Sequence, residues 1–332
     1  MSSLSPTKLA GSLISLTLIM LLAGCSTTQK WPVSDHSTPS LQQRTVLEDV
    51  PFYPQELYQC GPAALAMMLN SQGLNTNPDV LRELVYLPGR EGSLQVEMVA
   101  AARSHDMLVY PLDGELESVL KEVAAGHPVL VMQNLLYDWW PQWHFAVVIG
   151  FDPLEQTIIL HTGTREGHES SVEVFANTWA RSDYWSAVIL PPGQIPATAQ
   201  PLTYLSAAND LETTGHTNAA MVAYQSAEQR WRDQPAAILG QGNIAYTQGD
   251  VPQARDHFLR LVDTFPQEAV GWNNLAHTLK ELGCAQAANK AQQCAAQLAP
   301  ERFDSPVTTG VQSRSSEQCS IPLCPVRPES QD

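Results

Sequence analysis

Apolar residues recur at three- and four-residue spacing in the first half of the chain, and this spacing predicts amphipathic helices. The predicted helices cover Cys60–Asn70, Asp79–Leu87, Leu94–Ser104 and Glu115–Ala125. Short β-rich runs follow and predict strands at Val129–Gln133, His144–Phe151, Thr157–His161 and Ser186–Leu190. Helices followed by antiparallel strands indicate an α+β domain, which we place at residues 46–195.

The second half has helical periodicity alone and begins after a Pro-rich linker at 191–196. Its sequence repeats with a period of 34 residues, which aligns Tyr204 with Ile238 and Trp272, Ala208 with Gly242 and Ala276, and Gly215 with Gly249 and Gly283. This pattern resembles the tetratricopeptide repeat (TPR), a helix-turn-helix unit; the alternative is an ordinary helical bundle. The resemblance implies three repeats, at 201–234, 235–268 and 269–302, whose concave face binds a protein or peptide client.

A single long apolar run lies near the N-terminus, at Leu9–Gly24. It is shorter than the roughly 20 residues of a membrane-spanning helix and indicates an export signal. The run ends in Leu22-Ala23-Gly24-Cys25, which resembles the lipobox of bacterial lipoproteins. The resemblance implies a signal peptide at 1–24, acylation of Cys25 and attachment to a lipid bilayer. Because Ser26 stands where inner-membrane lipoproteins usually carry Asp, we expect an outer-membrane lipoprotein facing the periplasm, with a flexible tether at 25–45.

The charge balance excludes one class of partner. The 332 residues contain 18 Lys and Arg against 34 Asp and Glu, a net charge of −16. Nucleic acid is therefore not an expected partner, because phosphate binding requires clustered basic side chains.

The candidate chemistry lies at Cys60, which stands at the start of a predicted helix with Pro62 in its first turn. A thiol at a helix N-terminus faces unpaired N–H groups and the positive end of the helix dipole, and both favour the thiolate. A nucleophilic Cys also needs a base, and His144 lies at the head of a predicted strand. Taken singly, Cys60 reads as a small core residue and His144 as a structural histidine; their pairing favours catalysis.

These two motifs resemble the papain-like peptidases that remove double-glycine leaders from bacteriocins, and their stand-alone relatives. Cys60-Gly61 with Ala63, and His144-Phe145 heading a Val-rich strand, match the motifs of that family. The resemblance implies a papain-like cysteine peptidase domain in which Gln55, upstream of the Cys, helps to form the oxyanion hole. Gln59, adjacent to Cys60, is a weaker candidate for that role.

The sequence departs from the family at the third catalytic position. The family usually orients its His with an Asp about 16 residues further on, where this chain has Leu160-His161-Thr162-Gly163. Asp152 would lie roughly 26 Å along the strand and is read as part of a hairpin turn. Thr162, His161, a backbone carbonyl or water remain as alternatives for holding the His144 ring.

Several other side chains carry weaker signals. The aromatic run Tyr137–Trp143 precedes His144 and is either a loop packed on the core or one wall of a substrate groove. His105, His127, His161 and His168 read as turn or surface residues without the spacing of a zinc site, so we expect no metal and no cofactor.

With Cys25 acylated and Cys60 free, four cysteines remain, Cys284, Cys294, Cys319 and Cys324. On one helix, Cys284 and Cys294 would be about 15 Å apart, beyond bridging distance. We therefore predict that Cys319 and Cys324, in the tail at 303–332, either attach it to the last repeat or pair with each other.

Together these features predict an envelope cysteine peptidase in which Cys60 and His144 hydrolyse peptide bonds of a client recruited by the TPR repeats. Two alternatives remain open. One is a catalytically weak scaffold for protein–protein interaction, which the absent Asp favours. The other is a thiol amidase or acyltransferase acting on cell-wall peptides, which the predicted compartment permits.

Overall fold

A computed structural model of the protein describes residues 31, 39–55, 60–90, 92–304 and 319–326. The predicted signal peptide, Cys25 and most of the predicted tether lie outside these residues. Within the described part of the chain, no helix is both long and apolar enough to cross a membrane.

An antiparallel sheet forms the centre of the first half of the protein. Seven strands are found in the described residues: β1 (Thr45–Val46), β2 (Leu108–Pro111), β3 (Val129–Asn134), β4 (Trp143–Asp152), β5 (Thr157–Thr162), β6 (Arg165–Ser171) and β7 (Ser186–Leu190). The strand order is β2-β7-β3-β4-β5-β6, and β1 pairs with the far end of β4. The predicted strands are therefore present, each within one residue of its expected bounds.

Five helices accompany this sheet: α1 (Cys60–Ser71), α2 (Pro78–Val85), α3 (Gln95–Ser104), α4 (Leu116–Ala124) and α5 (Val172–Ala180). Side chains of α1 and α3 pack on one face of the sheet, where Leu65 and Met98 meet Phe145 and Val147. On the opposite face Val119 of α4 and Phe175 of α5 join a second core.

The simple order of helices first and strands afterwards is wrong in detail. Strand β2 lies between two helices, and α5 lies between two strands. The β6 sequence, Arg165–Ser171, contains no large apolar residue, so it gives no alternating pattern. It is an edge strand whose side chains are mostly exposed, which explains why such a pattern is not required.

In the residues described, the second half contains helices and no strand. Its helices are α6 (Pro201–Thr213), α7 (Thr217–Arg230), α8 (Pro235–Thr247), α9 (Val251–Thr264), α10 (Ala269–Glu281) and α11 (Ala285–Leu298). Gly215, Gly249 and Gly283 adopt positive φ at the turn within each successive pair, a conformation that favours glycine. The small residue at Gly242 is required by close packing, because a Cβ there would lie 2.4 Å from the Phe258 ring.

The first helical pair packs directly against the sheet. Tyr204 and Leu211 of α6 belong to the same core as Tyr110 of β2 and Val188 of β7. Polar contacts cross the same boundary: Arg103 forms an ion pair with Asp210 at 2.5 Å.

A buried carboxylate also fixes the segment that joins the two halves. Glu122 of α4 is fully buried and accepts hydrogen bonds from the Thr198 amide at 2.7 Å and the Ala197 amide at 3.1 Å. Burial acts to raise the pKa of Glu122, but hydrogen bonds with His127, Thr198 and Ala197 outweigh it and lower that pKa. The linker is thus held by an ionised carboxylate in the core.

Two disulfide bonds attach the C-terminal tail to the last helical pair. Cys284, which precedes α11, is bonded to Cys319, and Cys294 within α11 is bonded to Cys324. The first of the two predicted arrangements, attachment to the last repeat, is therefore the one found.

Candidate active site

Cys60 is the first residue of α1, as predicted, and its side chain is half-buried. The next residue, Gly61, allows this helix end to pack closely, because a Cβ at Gly61 would lie 2.2 Å from Ser93 Oγ and 2.5 Å from Ser93 Cβ. The segment just before the cysteine, 56–59, lies outside the described residues, and the candidate Gln59 lies there.

Burial is the largest influence on the Cys60 thiol and raises its pKa. Hydrogen bonds from the backbone of Phe145, Gly61 and Cys60 itself act in the opposite direction without overcoming it. The helix N-terminus therefore favours the thiolate, but at neutral pH the thiol form dominates. The contact with Phe145 places the sulfur beside the residue that follows His144.

The His144 ring is held by Thr162. Nε2 of His144 lies 2.8 Å from Thr162 Oγ1, and Thr162 is buried. Strands β4 and β5 pair Val147 with His161, which places Thr162 opposite Ala146 and diagonal to His144 on the same face of the sheet. Of the alternatives left open by the sequence, the threonine hydroxyl is the group that contacts the His144 ring.

A neutral hydroxyl cannot stabilise an imidazolium as a carboxylate does. Burial, followed by the positive charge of Arg165, lowers the pKa of His144 to about 4. The ring is therefore neutral at pH 7, and it is suited to accept a proton from the thiol rather than to form a resting ion pair with a thiolate.

Gln55 is buried beside the same strand ends. Its Oε1 accepts a hydrogen bond from the Gly163 amide at 3.2 Å, and its Nε2 lies 3.5 Å from the Phe145 carbonyl oxygen. Its backbone amide also donates to the Gly163 carbonyl at 3.0 Å. Gln55, the Cys60 thiol and the His144 ring thus converge on Phe145 and the Thr162-Gly163 turn.

Cys60, His144 and Thr162 do not form a continuous hydrogen-bonded triad. Neither the Cys60 thiol nor the His144 ring hydrogen-bonds the other, although both are described. Catalytic hydrogen bonds are often long in unliganded enzymes and shorten when substrate binds. Among the described residues, no group of His, Cys, Asp or Glu is placed to hold a metal ion.

Asp152 takes no part in this site, as the strand length predicts. It ends β4, accepts hydrogen bonds from the Leu154 and Glu155 amides, and forms an ion pair with Arg44 at 3.1 Å.

The prediction that His161 and His168 are turn or surface residues is wrong for His161. His161 is buried in β5, where its ring contacts the Val50 carbonyl and the Gly167 amide at 3.1 Å each. His168 is a partly exposed residue of the edge strand β6, which agrees with the predicted surface position. The apolar residues just before His161, Ile158–Leu160, were the sequence signal that His161 lies within a strand.

Two contributors are not identified by the sequence. Arg165 influences the His144 pKa from the start of β6, a strand without a hydrophobic pattern. Ser93 sets the packing at Gly61 across a loop, and only the three-dimensional structure brings them together. The family's 16-residue interval also fails, because Thr162, which contacts the ring, lies 18 residues after His144, and the register of β4 with β5 contains an irregularity between Val148 and Gly150.

Comparison with known proteins finds a similar family for the first half of the chain. The Peptidase_C39 like family matches residues 47–186, a segment that contains Gln55, Cys60, His144 and Thr162. No curated protein matches the chain.

Two solved structures are similar to part of the chain. A C39-like peptidase from Bacillus anthracis is 18% identical, covers 45% of this chain and 98% of its own, and has a TM-score of 0.38. The peptidase domain of Streptococcus ComA, a bifunctional ABC transporter involved in a quorum-sensing pathway, is 21% identical, covers 43% and 98%, and has a TM-score of 0.35. Because both scores are below 0.5, neither likeness supports a conclusion about this protein.

The family match covers less than half of the chain and points to a cysteine peptidase for that segment. This half of the protein is an α+β domain with a central sheet, and a helical region follows it.

Proposed function

We propose that this protein is a cysteine peptidase of the cell envelope, anchored to the outer membrane by acylated Cys25 and supplied with clients by TPR repeats at 201–302. The observation that carries the catalytic part is the position of the Cys60 thiol at a helix N-terminus, where the backbone of Phe145, the residue after His144, acts to lower the pKa of the thiol.

In the proposed reaction His144 acts as the base. With Nε2–H donating to Thr162, Nδ1 carries the lone pair that takes the Cys60 proton. The thiolate attacks a peptide carbonyl, and the oxyanion is held by the Cys60 amide and Gln55 Nε2. The C–N bond then breaks, and His144 returns the proton to the leaving amine. Water hydrolyses the thioester and restores the thiol.

The neutral site also supports a second candidate function, a catalytically weak scaffold. A thiol with a raised pKa beside an imidazole with a pKa of about 4 forms little thiolate at neutral pH. In that case the domain retains the peptidase fold and acts by binding a client.

Alkylation of Cys60 distinguishes the two functions. The full chain is treated with iodoacetamide at pH 7, and Cys60 modification is followed by peptide mapping in wild type, His144→Ala and His277→Ala, a control at an exposed histidine of α10. For a peptidase we expect His144→Ala to slow labelling at least tenfold and His277→Ala to have no effect. Equal, slow labelling in all three proteins would exclude the peptidase and leave the scaffold.

The helical region supports the client-binding part of the proposal. Helix pairs recur at the predicted period, with glycine at each turn and Gly242 packed against Phe258. A stacked array of such pairs offers an extended surface for a protein or peptide. We expect a chain shortened within α10 and α11 to lose client capture while the rate of Cys60 labelling stays unchanged.

A further inference from the structure

The connection between β3 and β4 exposes a cluster of large aromatic side chains. We call residues 135–143 the aromatic hairpin. Within it Tyr137 is 61% exposed, Trp139 78% and Trp140 67%, and the Tyr137 and Trp139 rings stack with their centroids 5.7 Å apart. Contiguous exposed apolar surface of this kind marks a binding site more often than a solvated loop.

The aromatic hairpin is held in place from its base. Asn134 is buried, and its Oδ1 accepts hydrogen bonds from the Leu136 amide at 3.1 Å and the Gln142 amide at 2.9 Å. Arg181, which caps α5, donates to the Leu136 carbonyl at 2.8 Å and to the Asn134 carbonyl at 3.3 Å. These bonds fix the hairpin before any partner arrives, which reduces the entropy lost on binding.

The aromatic hairpin continues directly into the candidate active site. Trp143 pairs with Asn134, and the next residue of the strand is His144. Trp140 lies four residues before His144, and four residues of extended chain span about 13 Å, so Trp140 is no farther than about that distance from the candidate base. An extended peptide of about four residues spans the same distance.

The charge of the aromatic hairpin selects the class of partner. Residues 135–143 contain Asp138 and neither Lys nor Arg, and the whole chain has a net charge of −16. An anionic bilayer surface attracts basic segments and repels this one. A peptide with apolar side chains has no such penalty, and aromatic platforms bind these side chains well.

We propose that the aromatic hairpin binds apolar or aromatic side chains of the peptide that occupies the active site, within about four residues of the bond that faces Cys60. This inference rests on the proposed function, because it takes that peptide to be the substrate. It assigns a specificity determinant to residues that make no contact with the reacting atoms.

Protection of Cys60 from alkylation tests the inference without requiring turnover. The full chain is treated with iodoacetamide in the presence of the peptide acetyl-Ala-Phe-Phe-Gly-Phe-Phe-Ala-amide or of its all-alanine counterpart. In wild type we expect the Phe peptide to slow Cys60 labelling at concentrations at least tenfold lower than the Ala peptide. In Trp139→Ala/Trp140→Ala the concentration for half-protection by the Phe peptide rises about tenfold.

Two controls define what the result means. Leu154→Ala removes an equally exposed apolar side chain beyond the other end of β4, and it leaves protection unchanged. Labelling without peptide stays within twofold of wild type in Trp139→Ala/Trp140→Ala, because neither side chain touches Cys60. Equal protection by the two peptides, or undiminished protection in the double variant, would refute the inference.

The remaining outcomes separate this inference from the proposed function and from membrane binding. If labelling does not depend on His144 but the Phe peptide still protects through Trp139 and Trp140, the peptidase fails and the binding site remains. If the double variant loses binding to phosphatidylglycerol–phosphatidylethanolamine vesicles while peptide protection is intact, the hairpin is a bilayer contact and the inference is wrong.

Discussion

Thr162 is the residue that most affects the chemistry of this site. Its hydroxyl holds the His144 ring in place but contributes no negative charge, while Arg165 contributes a positive one. In the family that the sequence resembles, one carboxylate both orients the catalytic His and stabilises its positive charge. Here the Thr162 hydroxyl provides only the orientation. The ring is positioned as a base but is weakly basic.

Introducing the missing carboxylate is expected to increase the reactivity of the site. In Thr162→Asp a negative charge beside Nε2 raises the pKa of His144, typically by one to three units, and favours the imidazolium–thiolate pair. We expect iodoacetamide to label Cys60 at least tenfold faster at pH 7. Thr162→Asn, which keeps the size and a polar group without the charge, serves as the control, and an equal increase in both would contradict this reasoning.

The low pKa of His144 also makes stability depend on pH. Unfolded chains protonate histidine near its ordinary pKa of 6.5, whereas folded His144 does so only at about 4. Between these values the unfolded state binds more protons, so the free energy of unfolding falls as the pH falls, by about 3 kcal/mol from this residue.

Urea unfolding at pH 7 and pH 4.5 measures this dependence. We expect His144→Gln to lose less stability than wild type over that interval, since its side chain does not titrate. Identical losses in the two proteins would show that the burial of His144 does not oppose its protonation.

At the scale of elements, the start of α1 depends on the loop before α3. Gly61 and Ser93 are in contact, and Ser93 Oγ is buried without a hydrogen-bond partner among the described residues. A tight contact of this kind fixes the helix end that carries Cys60. Helix position and thiol environment are therefore set by a residue 33 positions away in sequence.

Gly61→Ala is expected to disturb this contact. Its Cβ would overlap Ser93, and overpacking of this kind typically costs 1–3 kcal/mol. We expect a lower melting temperature and altered Cys60 labelling, both partly rescued by Ser93→Gly in a double-mutant cycle. Gly89→Ala, with nothing within 4 Å of the new Cβ, is the matched control; the same loss there would argue against the overlap.

The elements with a clear hydrophobic pattern were predictable from the sequence, and so were Cys60 at a helix start and His144 near the start of a strand. Strand β6 was not, because an exposed edge strand needs no apolar alternation. Thr162 was one of several alternatives, since the register between β4 and β5 decides which side chain reaches the ring. Contacts between distant loops, such as Gly61 with Ser93, leave no local pattern.

At the scale of the whole molecule, the two disulfides attach a tail whose described residues, 319–326, have little core of their own. Leu323 and Val326 are almost fully exposed, while Ile321 packs against the core of the last helices. We expect non-reducing peptide mapping to recover Cys284 with Cys319 and Cys294 with Cys324.

Breaking both bonds is expected to release the tail and leave the helices folded. In Cys319→Ser/Cys324→Ser, limited proteolysis should remove the tail quickly, while the helical signal in circular dichroism stays close to wild type. The helices have their own core around Trp272 and Leu275, which supports this expectation. Loss of helicity would mean that the bridges hold the array itself.

The shared core between the sheet and α6 has a consequence for engineering. The Pro-rich linker at 191–196 suggests a boundary at which the chain could be truncated. However, Tyr204 and Leu211 are buried together with Tyr110 and Val188. A peptidase half expressed alone would leave that apolar surface open to water and prone to aggregation. Moving the Cys60 and His144 site into a fusion protein therefore requires including the first helical pair. The smallest unit that can be moved is larger than the catalytic motif suggests.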